Sequence, residues 1–231
     1  MQVLLPDSSQ RSPTAVPAKS DMRDDNVYSA IVLQHGGQGA QSIFTNPRGQ
    51  AIPRLNGSAI TVPTSGHQVT YTEVTTNISQ AGQLGAAIGD ASFIGFGATI
   101  ESAYYTSSTG ALNTYGAGQQ ETAEILAKVF FQMKVAGKQQ IQGPLYTFPA
   151  MGAQVGTIST TANAATVSTG NNGWGQMRRL KLPILVARQD TLEGIVGVAG
   201  GDALTFSVTS GIGQPTLVTM VIRALVAGDA R

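Results

Sequence analysis

Apolar and polar residues alternate with a period of two along much of this chain, the spacing of half-buried β-strands. Residues 68–76 set Val69, Tyr71 and Glu73 against Thr70, Thr72 and Val74. The run "VYSAIVLQ" (27–34) is rich in strand formers and closes on "HGGQG". "SFIGFGATI" (92–100) places Phe93, Gly95, Gly97 and Thr99 on one face and Ile94, Phe96, Ala98 and Ile100 on the other. Phe131, Met133 and Val135 alternate with Gln132 and Lys134; the pattern breaks at Ala136-Gly137, resumes through Ile141 and stops at Gly143-Pro144. Leu180, Leu182, Ile184 and Val186 alternate in turn, and Pro183, which has no N–H to give a ladder, predicts an edge position or a bulge there. Only "QQETAEILAKVF" (119–130) changes period: Ile125/Val129 and Leu126/Phe130 stand four apart, which predicts one short helix.

After residue 65 the pattern predicts eight strands, near 68–76, 92–102, 130–136, 139–142, 180–187, 193–198, 203–208 and 216–227. Long connections follow the second and fourth, and short hairpins join the third to the fourth and the sixth to the seventh. Eight strands in two Greek keys make a jelly roll. The expected fold is therefore all-β: an eight-stranded jelly-roll sandwich over 27–231, behind an extended N-terminal arm of residues 1–26. Pro and Gly interrupt residues 42–66 every few positions, and the irregular region 27–63 leaves a compact double jelly roll as the alternative. Pro6, Pro13 and Pro17 and the lack of apolar periodicity mark the arm, whose order would have to come from docking on something else.

Composition sharpens this picture. The chain has 231 residues, of which 12% are charged, about half the roughly 25% usual for soluble domains. Such a surface is either buried against other subunits or neutral and rich in Gly, Ser, Thr and Gln. Five acids (Glu73, Asp90, Glu101, Glu121, Glu124) and no base lie between Leu55 and Ala127; seven bases and no acid lie between Lys128 and Arg188. That segregation is expected to give separate surfaces opposite sign. There is no cysteine, hence no disulfide and no thiolate site. Residues 1–20 carry no apolar h-region, so no signal peptide is expected, and no apolar run is long enough to span a bilayer as a helix.

The chain carries only fragments of catalytic patterns. His35 in "QHGGQG" matches half of a lipase-type oxyanion loop, but the G-x-S-x-G nucleophile elbow it requires does not occur. His67 precedes a strand with no second His or Cys near it. Neither G-x-G-x-x-G nor a P-loop is present. Glu121 and Glu124, three apart at a helix start, suit the helix dipole. The expectation is a protein that is not an enzyme, with no cofactor and no assigned catalytic or metal residue. "RRLK" (178–181) is the strongest basic cluster; it reads as a contact for phosphate or an acidic neighbour, or as a strand edge blunted by charge. Arg11, Lys19, Arg23, Arg178, Arg179 and Lys181 are the candidate subunit or partner contacts. Asn56-Gly-Ser58 and Asn77-Ile-Ser79 match glycosylation sequons.

Three stretches carry a resemblance: "TNISQAGQLG" (76–85), "GPLYTFPAMG" (143–152) and "LKLPILVARQDTLEGIVGV" (180–198). Over residues 65–228 the chain resembles jelly-roll capsid proteins of icosahedral viruses, particularly those of tailless, membrane-containing bacteriophages. The resemblance implies a virion structural protein, a capsid subunit that self-assembles into an icosahedral shell. Its partners would be further copies in a trimer or larger shell, other virion proteins and, through the arm, an internal membrane or genome; its location would be the virion. The alternative is a jelly-roll binding module, a receptor-binding spike or lectin-like domain, for which Tyr104, Tyr105 and Tyr115 offer stacking surfaces.

Overall fold

The computed structural model of the chain describes residues 22–56, 70–78, 90–101, 123–148, 154–159, 164–169, 177–187, 190–205, 208–209, 212–213 and 216–227. Twelve strands are described: β1 (Met22–Leu33), β2 (Ala40–Ile43), β3 (Ala91–Glu101), β4 (Val129–Val135), β5 (Lys138–Pro144), β6 (Gln154–Ser159), β7 (Ala164–Thr169), β8 (Arg178–Val186), β9 (Leu192–Val198), β10 (Val208–Thr209), β11 (Ile212–Gly213) and β12 (Thr216–Ala227). A short helix, α1, covers residues 123–128.

Eight strands form two antiparallel four-stranded sheets. One runs β1-β12-β3-β8 and the other β2-β9-β4-β5. The β6–β7 hairpin joins the first sheet through one parallel pair, Glu101 with Gln154. Among these eight strands the chain changes sheet at every link except the β4–β5 hairpin. The sheets pack across one core. Val27, Ile31 and Leu33 of β1, Val218, Met220 and Ile222 of β12, and Phe131, Met133 and Val135 of β4 are all buried in it.

Three phenylalanines fasten the layers. Phe96 of β3 lies 6.4 Å from Phe131 of β4, centroid to centroid, and Phe148, just after β5, meets Phe131 edge-on at 5.4 Å and Phe96 at 6.5 Å. Tilted and edge-to-face pairs at these separations add about 0.5–1.5 kcal/mol each to the burial itself. Strict alternation along β3 would send Phe93 and Phe96 to opposite faces, yet both are fully buried in this core. The reason is a β-bulge. Arg223 and Ala224 are consecutive on β12 but pair with Gly95 and Phe93, leaving Ile94 as the extra residue. The bulge resets the face, so Phe93 and then Phe96, Ala98 and Ile100 all point inward.

Pro183 lies in a bulge, as the sequence predicts. Phe93 pairs with Ile184 and Gly95 with Arg179, so residues 180–183 loop out of the ladder and the missing N–H of Pro183 costs no hydrogen bond. The β4–β5 turn has positive φ at both central residues, Ala136 (49°) and Gly137 (75°), with Val135 paired to Lys138. This is the primed geometry that matches strand twist.

Two of the expected strands are replaced by others. Residues 68–76 form no strand among the described positions. Tyr71 is buried and residues 73–75 turn, because Thr72 and Thr75 hydrogen-bond each other's backbone: Thr72 N–H donates to Thr75 Oγ1 at 2.8 Å and Thr75 N–H to Thr72 O at 3.1 Å. Among the described residues around 203–208, only Val208–Thr209 is strand; Leu204 exchanges hydrogen bonds with Gly36 and Gly37 of the β1–β2 turn. Their places in the sheets go to β1, which contains the strand-forming run read at 27–34, and to the short β2. Residues 22–26, assigned above to the arm, belong to β1, where Met22–Asn26 pair with Arg223–Ala227. The helix ends at residue 128 and Val129–Phe130 open β4, because Val129 pairs with Val198 and Phe130 with Gly197.

Two glycine positions yield tests. A Cβ on Gly194 would stand 2.6 Å from the Phe44 ring and 2.9 Å from Ile43 Cγ1, and Phe44, itself at φ 66°, is fully buried with little room to yield. Gly194→Ala should therefore cost about 1–3 kcal/mol by overpacking, read as a lowered denaturation midpoint with an unchanged m-value. Ala136→Asn gives the turn its preferred Asn-Gly pair and should raise stability by about 0.5 kcal/mol or more; a melting scan of the two proteins checks it.

Candidate interaction surface

The basic cluster on β8 divides in two. Arg178 turns back on the protein: its guanidinium sits 5.4 Å from the Phe148 ring centroid and donates from Nη1 to Thr147 Oγ1 at 3.3 Å. It thereby covers the end of the phenylalanine cluster. Arg179 and Lys181 are exposed, and Leu182 beside them is 80% exposed. A large exposed apolar side chain that follows two exposed cations makes an amphipathic strip along β8, which pairs only with β3 among the described residues.

Arg23 is not part of this strip. It lies on β1, three strands away across the sheet, or about 14 Å at the usual strand spacing, and pairs with Asp25 at 3.3 Å. Arg11 and Lys19 lie outside the described residues, as do His67, Glu121, Tyr104, Tyr105 and Tyr115.

Among the described residues, charges from both stretches find partners of opposite sign. Glu73 meets Arg48 at 3.0 Å, and Lys134 meets Glu193 at 3.8 Å. The boundary between the acidic and basic stretches falls inside α1, where Glu124 and Lys128, one turn apart, pair at 3.0 Å. Glu124 also accepts hydrogen bonds from Thr205 N–H (2.7 Å) and Thr205 Oγ1 (2.8 Å), while Lys128 Nζ donates to Ala203 O at 3.2 Å. The helix carboxylate thus does more than answer the helix dipole; it pins the 203–205 segment. Burial pushes the Glu124 carboxyl up, but the donors on Thr205 and Lys128 outweigh it and hold its pKa below the ordinary value. On the first sheet, hydrogen bonding to Arg223 likewise outweighs burial and holds Asp24 low; the guanidinium Nε reaches both carboxylate oxygens at 3.1 Å.

The outer face of β1-β12-β3 holds a feature that the alternation reading missed. Residues 45–56 and 70–78 fold over part of it. Tyr71, Ile52, Ala30, Val32 and Leu217 form a second small apolar cluster there. Tyr71 donates to Ala30 O at 2.6 Å and receives Ser29 Oγ at 3.2 Å, and burial raises its pKa to about 12 against the lowering effect of Ser29. Asn77 closes the free edge of β1: its side-chain oxygen accepts from Tyr28 N–H at 3.0 Å and its amide donates to Asn26 O at 2.5 Å. The side chain of the second sequon is therefore committed within the chain. Beside this cover runs an open groove of about 400 Å³ lined by Tyr28, Thr72, Val74, Thr75, Thr99, Leu217, Thr219 and Val221. Its signal in the sequence was β12, which is apolar on both faces: Val218, Met220 and Ile222 point inward, Leu217 and Val221 outward.

His35 occupies the tight β1–β2 turn, which carries positive φ at Gly36 and Gly39. Among the described residues, no group of three or more His, Cys, Asp or Glu is placed to hold a metal ion, and no helix is long and apolar enough to cross a membrane. No family model matches the chain, and neither a curated protein nor a solved structure matches it.

Asp24 and Glu124, both held low in the folded state, contribute stability that is present above the ordinary carboxylate pKa and lost as pH falls through their folded values. Melting temperature should therefore fall as pH drops below the ordinary carboxylate range of about 4. Glu124→Gln should flatten part of that fall, and a pH series on the two proteins measures it.

Proposed function

We propose that the sandwich is a single jelly roll and that the protein is a structural subunit of an icosahedral virion, a capsid protein whose work is contact with further copies. The observation that carries this reading is the strand order: β1-β12-β3-β8 facing β2-β9-β4-β5, with the chain crossing between sheets at every link but one. Two interlocked Greek keys produce that order, and the eight-stranded jelly roll is a wall element of viral capsids as well as a lectin scaffold. The resemblance of residues 65–228 to phage capsid proteins points the same way.

Fold alone does not carry function, so the surface must support it. The β8 strip offers exposed Leu182 next to Lys181, with exposed Arg179 three residues before it, an apolar knob with charge to orient a neighbour. The outer face of β4–β5 carries a chain of amides: Gln132 donates to Gln139 at 2.5 Å and Gln139 to Gln142 at 2.7 Å, beside the Lys134–Glu193 pair. On this reading strand and tip act as wall.

The test is the assembly state of the purified full chain, by negative-stain microscopy and sedimentation over a range of concentration. Shells or large rings are the expected result. Discrete trimers would transfer the jelly roll to the spike or lectin-like class, and a monomer at every concentration would overturn both readings. The double variant Arg179→Gln/Lys181→Gln should weaken assembly several-fold at 0.1 M salt and much less at 1 M, as the Debye length drops from about 10 Å to about 3 Å. Equal assembly of variant and parent at every salt concentration would remove β8 from the contact. Arg178 is left intact because of its hold on Phe148.

A further inference from the structure

We infer that the groove on the outer face of β1-β12-β3 is a docking site for the chain's own N-terminal residues Val3, Leu4 and Leu5, bound in cis. The groove is built to take an uncharged, extended segment. Its floor alternates Leu217, Thr219 and Val221 along β12, with Thr99 and Tyr28 on the flanking strands and Val74, 84% exposed, on the rim. The floor is continuous with an apolar cluster through Leu217, which belongs to both. Leu217, Thr219 and Val221 are set two apart on one face of β12, the two-residue period of an extended ligand.

Of the twenty-one residues ahead of Met22, the run Val3-Leu4-Leu5 is the one with three consecutive large apolar side chains, and no charged side chain lies within the first six positions. The geometry of the tether suits the same molecule rather than a neighbour. Met22 opens β1, and Tyr28 is six residues along it, about 20 Å away at strand rise. Residues 6–21 form the connection; a sixteen-residue linker has a root-mean-square span of about 22 Å. Effective concentration is highest when span and linker length agree, and reaches the millimolar range. This inference stands whether or not the chain forms shells.

The absence of native cysteine makes the test clean. In the full chain, Val74→Cys is labelled with a maleimide, alone and combined with Leu4→Ser/Leu5→Ser. Labelling should accelerate several-fold when both leucines are replaced. The pair Leu5→Cys/Val74→Cys, oxidised at low concentration, should form an intrachain disulfide identified by peptide mass. If Val74→Cys destabilises the turn, seen as a lowered melting temperature, Thr72→Cys on the same rim replaces it in both measurements. An unchanged labelling rate together with no cross-link overturns the proposal. A cross-link found only between chains also overturns it, since it assigns the groove to a second copy.

Discussion

The contact between Phe96, Phe131 and Phe148 is the interaction on which the rest of the molecule depends. Phe96 belongs to one sheet, Phe131 to the other, and Phe148 to the segment leaving β5. Sheets have no directional force between them; burial is roughly proportional to area and does not choose a register. Ring geometry supplies some of that choice, and it requires Phe96 to face inward. The extra residue Ile94 makes this so, by turning over the strand between Phe93 and Phe96. Both partners of β3 register the consequence. β12 shifts at Arg223/Ala224, and β8 loops out residues 180–183 at the same point along the strand.

That shared irregularity links core to surface. The loop in β8 places Leu182 in solvent and leaves Arg179 and Lys181 exposed beside it, while Arg178, still in register opposite Phe96, bends over Phe148. A single inserted residue on β3 thus accompanies both the packing of the sandwich and the presentation of the strip proposed to meet a neighbour. On the far side of the same sheet, the Tyr71 cluster covers only part of the outer face. The uncovered remainder is the groove assigned to residues 3–5.

Much of the architecture was legible in the sequence. Alternation over Phe131–Val135 and the break at Ala136-Gly137 marked β4, its turn and β5; Pro183 marked a bulge. The failures share a physical cause. A run such as "VTYTEVTT" alternates, but threonine hydroxyls satisfy nearby backbone and release it from a ladder, so periodicity alone misreads it. Conversely, β2 is four residues long and takes its pairing from β9, a tertiary effect with little local signal. The Ile94 bulge could not be seen because "SFIGFG" alternates well on either side of it. For the surface, "RRLK" was conspicuous, but only the fold separates Arg178, which is used inside the chain, from Arg179 and Lys181.

The most direct test of this account removes the residue on which it turns. Deleting Ile94 should restore strict alternation through β3, drive Phe93 or Phe96 out of the core and abolish cooperative unfolding. Replacing Ile94 with Ala, which keeps the bulge, should leave a cooperative transition within about 1–1.5 kcal/mol of the parent. Equilibrium denaturation of the three proteins decides the matter. If the deletion variant unfolds cooperatively at the parent's midpoint, the bulge does not set the register, and the phenylalanine contact is not the constraint described here.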